Sequence, residues 1–251
     1  MSESLLLSAA AGAASSFLTR AFEGPFKSLD DLWYTHFGYK TAIAKAEREA
    51  HIESYKKEII AELKKIKPEN YQKPKLNIVG PALEASKYYI EETELKKMFA
   101  KLIAAASDKT KNTFTHPAFV EIIKQMNSND AKLFYLLPSY GPLVDYQLIH
   151  KDNPQIHTDF ATEVYLSQTI PDYSKENSLS INNLARLNII SFEKMMSGDG
   201  VLDYSPYDKI PLYFIAQLQY TQNPNLYSSL SLQKYYYNFT SLGKIFKSIC
   251  I

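Results

Sequence analysis

Two apolar stripes with helical spacing follow each other between residues 92 and 126, with a short polar stretch between them. In ETELKKMFAKLIAAAS (92–107), Leu95, Met98, Phe99, Leu102, Ile103 and Ala106 fall at i, i+3, i+4, i+7, i+8 and i+11. That pattern lines one face of a 3.6-residue helix with side chains that must meet another surface. In THPAFVEIIKQM (115–126), Phe119, Ile122, Ile123 and Met126 repeat the spacing. Helices this short gain most of their stability from tertiary packing. The region therefore dictates packed helices. With 251 residues, 45% of them apolar, the chain can bury a core without covalent staples.

The same grammar runs through residues 1–137, which we read as a helical domain. A long helix is expected over about 41–66, with Ile52, Tyr55, Ile59, Leu63 and Ile66 inside and a Glu53–Lys57 pair outside. Pro68 and Pro74 bound a linker. SLLLSAAAGAASSFL (4–18) is apolar, but Glu3 precedes it and the first positive charge is Arg20. It makes a poor secretory signal and is shorter than a membrane span requires. It reads as an Ala-rich core helix or as a membrane-seeking segment over 4–22. The single cysteine, Cys250, excludes an internal disulfide and suits a cytoplasmic protein.

Residues 138–251 change character. LVDYQLIH (143–150), IPLYFIAQLQY (210–220) and KYYYNF (234–239) have the aromatic and branched content of strands. SINNLARLNIIS (180–191) reads as a helix capped by Ser180, SGDG (197–200) as a turn, and Thr240 as the cap of a last helix. Residues 138–179 carry no firm pattern. The expected fold is α+β, mainly α: an N-terminal helical bundle, then a smaller α+β region.

No phosphate-cradling glycine loop, nucleophile elbow or zinc-binding HExxH stands in the sequence. None of the five histidines pairs with another at i+3 or i+4, though His150 and His157 flank a polar loop where a metal site is one reading. The net charge is +1, with 20 Lys+Arg against 17 Asp+Glu before residue 138 and 8 against 10 after it. Neither part is basic enough to mark a phosphate-binding surface. His116 precedes Pro117 at a helix start, where it either caps the helix or helps hold an anion. Ser128 is placed to cap the next helix, with Asp130 in its first turn. No catalytic residue, metal site or cofactor is implied.

The stretch from ETELKKMFAKLIAAASDK to THPAFVEIIKQMNSNDAKLFYLL resembles the signature of the abortive infection alpha family. Glu94, Leu95, Met98, Phe99, Ala100, Leu102, His116, Pro117, Phe119, Ile122, Gln125, Asp130 and Ala131 fall on it. Asp130 stands one place off a usual glutamate, and Asn129 follows Ser128 where a proline is usual. The resemblance implies bacterial resistance to bacteriophage and brings no catalytic residue with it. NNLARLNIIS and YYYNFTSLGKIF also resemble the end of a winged helix, with Asn188 for the expected glycine and an expanded hairpin between about 191 and 238. That likeness implies nucleic-acid contact through Asn182, Asn183 and Arg186. The expected function is a non-enzymatic antiphage protein that touches a phage or host protein. The alternatives are a nucleic-acid-binding regulator and a membrane-acting effector working through residues 4–22. Assembly into a homo-oligomer fits each of them.

Overall fold

A computed structural model describes residues 23–27, 31, 42–194 and 202–251. The expectations for 4–22 and for the 197–200 turn lie outside these residues. The protein is α+β and divides into two compact units, residues 1–128 with 245–251, and residues 129–244.

The first unit is helical. Helix α1 (Ala42–Leu63) points Ile52, Tyr55, Ile59 and Leu63 inward, and Ile66 is buried just beyond its end. The Tyr71 hydroxyl donates to the Leu63 carbonyl at 2.7 Å, taking one of the acceptors a helix end leaves open. On the outer face Glu53 pairs with Lys56 at 3.3 Å, one residue earlier than expected. Helices α2 (Leu76–Ser86), α3 (Thr93–Ala105), α4 (Lys109–Asn112) and α5 (Ala118–Lys124) follow. Helix α3 packs against α1, α2 and α5. All six residues of its stripe are buried, and so are Ala100, Ala104 and Ala105. The alanines explain how one helix meets three others, since small side chains let axes approach.

The second unit is built on a four-stranded antiparallel sheet of order β2-β1-β4-β3. After α6 (Ser128–Leu136) come β1 (Tyr140–His150), which contains the strand-like run 143–150, and β2 (His157–Val164), for which the sequence carried no firm pattern. Helix α7 (Lys175–Arg186) leads into β3 (Ile190–Lys194). Helix α8 (Pro211–Gln222) precedes β4 (Tyr227–Phe239), and α9 (Ser241–Cys250) ends the chain. Along β1, Val144 and Tyr146 alternate onto the face where Tyr207, Ile210, Leu212 and Ala216 pack.

Three expectations for this unit need correction. Residues 210–220 form a helix, not a strand. Ile210 is extended, Pro211 sits in the first turn where its missing N–H costs nothing, and Leu212 and Ala216 turn inward one helical turn apart. β4 already has β1 and β3 as neighbours, so this segment could not pair beside β4. The cap of α7 is Ser174, whose hydroxyl accepts the Asn177 N–H at 3.3 Å. Ser180 lies inside that helix and is buried. Ser128 is the first helical residue of α6 rather than its cap, and its hydroxyl donates to Glu92 at 2.9 Å. Thr240 does cap α9, accepting the Gly243 N–H at 2.9 Å. Asn188 adopts φ 57° after α7, the left-handed geometry that a glycine would take without strain.

Candidate functional site

The signature residues Leu95, Met98, Phe99, Leu102, Phe119 and Ile122 are buried side chains of the helical unit. Phe119 meets the Phe246 ring edge-on at 5.2 Å between centroids. Pro117 has helical dihedrals just ahead of α5. His116 is exposed, and its Nδ1 accepts the Ala118 N–H at 3.1 Å. The imidazole thus satisfies a donor that the helix start leaves unpaired, as a capping asparagine would. These residues account for cohesion of the unit and form no reactive constellation.

The three residues of α7 named for nucleic-acid contact are close together, but two are engaged internally. Arg186 donates to the Asn183 Oδ1 through Nε at 3.0 Å and through a terminal nitrogen at 2.8 Å. Asn183 passes the chain on, donating to the buried Asp130 carboxylate at 2.7 Å. Asn182 is exposed, and its amide favours the charged form of the nearby Glu163. His150 contacts the Thr158 hydroxyl at 2.9 Å, and His157 contacts Gln147 at 3.0 Å and Asp159 at 3.4 Å. Among the described residues no group of three His, Cys, Asp or Glu side chains converges for a metal.

A polar cluster not singled out in the sequence lies where β1 meets β2. Register shifts between Val144 and Gln147 break the ladder there, and Glu163 takes φ 48°. A β-bulge leaves a backbone donor without its ladder partner. Asp145 Oδ1 accepts that Glu163 N–H at 2.8 Å and also the Tyr235 O–H at 2.7 Å. Burial raises the proton affinity of Asp145 and of Glu163 above the ordinary carboxylate range, and burial and the Asp145 bond together push the Tyr235 phenol far up. Asp145 is therefore the fastener of the bulge, with Oδ1 accepting both bonds. The only sequence signal would have been an aspartate inside a run of strand formers.

The outer side of α8 is different in kind. Phe214, Ile215 and Leu218 are 56%, 57% and 54% exposed and adjoin at i, i+1 and i+4. Residues 211–222 include no charged side chain. An amphipathic surface helix normally turns charges to water, whereas a helix apolar on both sides is normally covered on both. At its C-terminal end, Lys151, Tyr220, Pro224 and Tyr227 line an open groove of about 460 Å³. Sequence reasoning missed this surface because it assigned the segment to a strand, on which Ile215 would point away from Phe214 and Leu218.

Fold and surface together define an α+β protein with an apolar, charge-free helix standing on an antiparallel sheet. Over residues 47–250 the chain matches the abortive infection alpha family, and it belongs to that family. No curated protein and no solved structure matches it. Among the described residues, no helix is long and apolar enough to cross a membrane.

Proposed function

We propose that this protein serves in bacterial antiphage defence by contacting a protein of phage or host, through the outer side of α8, and not by catalysis. Family membership supports the defence role. The observation that supports contact is the trio Phe214, Ile215 and Leu218, exposed together on a helix without charge. Large apolar side chains grouped on a surface mark interaction sites, and aromatic anchors carry much of their energy. The reading places the protein in the cytoplasm, with no cofactor.

Residues 175–239 are further read as winged-helix-like: a helix, a left-handed Asn188, and an antiparallel β3–β4 pair around an inserted helix. The internal bonds of Arg186 and Asn183 favour a scaffolding use of this motif over nucleic-acid contact. The test is the double substitution Phe214→Asp with Leu218→Asp. The variant should keep the wild-type circular dichroism and melting temperature but lose plaque protection and partner capture from infected cells. Full protection by the folded variant would refute the proposal. Affinity for DNA at low salt, weakened by Arg186→Ala, would favour the nucleic-acid alternative.

A further inference from the structure

The helical unit contains a cavity of about 310 Å³ between α1, α3, α4 and the end of α9. Its apolar wall is made by Ile66, Ala104, Ala105 and Ile249. Its polar lining holds Lys65, Lys101 and Lys111 with Glu62, Asp108 and Ser248, and Ile251 stands beside them. The two carboxylates already have work. Glu62 pairs with Lys65 at 2.6 Å, and Asp108 caps α4 by accepting the Thr110 N–H and O–H at 2.8 and 2.6 Å.

Lys101 and Lys111 are left. Neither ammonium has a hydrogen-bond or ion-pair partner among the described residues. Neighbouring lysines do: Lys96 reaches Glu58 at 3.9 Å, and Lys109 donates to the Glu69 carbonyl at 3.2 Å. Lys101 and Lys111 both line the cavity, so their charges face the same space. Two ammonium groups without a paired carboxylate, at the edge of a hollow with one apolar wall, suit a charged head on an apolar body. Ammonium groups act as point charges that suit carboxylate and phosphate alike. The volume lies at the lower end of the range for small-molecule sites.

We propose that this cavity binds a small amphiphilic anion, its head between Lys101 and Lys111 and its body against Ile66, Ala104, Ala105 and Ile249. The site is independent of the α8 surface, so either assignment can fail alone.

Titration calorimetry on the full chain tests it with three probes: decanoate, adenosine monophosphate and inorganic phosphate. Decanoate and the nucleotide separate a carboxylate head on an alkyl body from a phosphate head on a planar one. Phosphate supplies a head alone. At least one of the two amphiphiles should bind one per chain, more tightly than phosphate. K101Q/K111Q should weaken it about tenfold or more, and K101R/K111R should retain it. Lys111 is exposed, so K111Q alone serves if the double variant misfolds. The proposal is overturned if neither amphiphile binds at about 1 mM, if phosphate binds as tightly as both, or if neutralising the lysines leaves affinity unchanged.

Discussion

The two units solve the burial of their polar atoms in opposite ways. The helical unit satisfies its backbone largely within helices and fills the space between them with aliphatic and aromatic side chains. Its fully buried Tyr55 hydroxyl has no hydrogen-bond partner among the described residues, and nearby Ser86 spends its proton on the Leu83 carbonyl. The sheet unit is tied together by phenols. Tyr146 donates to the Tyr207 carbonyl, Tyr207 to the Pro142 carbonyl at 3.1 Å, Tyr204 to the Tyr235 carbonyl at 2.6 Å and Tyr237 to the Pro138 carbonyl at 3.2 Å. The Tyr207 oxygen also accepts the Leu166 N–H at 3.2 Å. The phenol links of the helical unit, Tyr71 to the Leu63 carbonyl at 2.7 Å and Tyr89 to the Lys124 carbonyl at 2.6 Å, sit on half-buried side chains, whereas those of the sheet unit run through its core.

The largest effects should come from shape in the helical unit. Phe99→Ala empties a fully buried site on α3 and should cost about 3–5 kcal/mol in urea denaturation. A loss below about 1 kcal/mol would show that apolar packing is not what holds this unit. Gly243→Ala asks the same of the sheet unit, since an added Cβ would stand 2.0 Å from the Ile189 carbonyl oxygen. Backbone lies on both sides of that contact, so a loss of about 3 kcal/mol is expected.

Phenol substitutions address the contrast directly. Tyr207→Phe strips a donor from Pro142 and an acceptor from Leu166, and should cost about 1–3 kcal/mol. Tyr55→Phe removes a hydroxyl that makes no bond, and should be neutral or stabilising. Equal losses in the two variants would erase the distinction between the units. Asn188→Gly should stabilise by up to about 1 kcal/mol, because φ 57° burdens any residue with a Cβ.

The smallest effect is a pH dependence confined to the sheet unit. Burial holds Glu163 above its ordinary value of 4.5, so the folded state keeps its proton longer than the unfolded chain does. Stability contributed by this group therefore falls as pH rises from that value through the raised folded one. Glu163→Gln should leave stability unchanged well below pH 4.5 and raise it at neutral pH by less than about 1 kcal/mol, the group being partly solvated. Melting curves that separate at low pH instead would reverse the assignment.

The contrast also explains what could be read in advance. Every residue of the α3 stripe is buried because helix periodicity is a local property, set by neighbours three and four places away. The Thr240 cap, most of β1 and the last part of β4 (234–239) were legible because their signals are local too. The strand reading of 210–220 failed because aromatic content favours strands on average, while the outcome depended on which edges β4 had left open. Asp145 was invisible because its partners stand 18 and 90 residues away. The outer surface of α8 followed the same misreading, and so stayed hidden with it.

The helical unit includes residues 245–251, and Phe246 fills the space beside Phe119. Its hydrophobic interior is therefore assembled from positions more than a hundred residues apart in order of synthesis. While a ribosome is still translating the strands, this unit waits with Phe119 uncovered, and chaperones have their longest access to it then. The sheet unit is drawn from one continuous run, so of the two units the one whose chain emerges first is the one completed last.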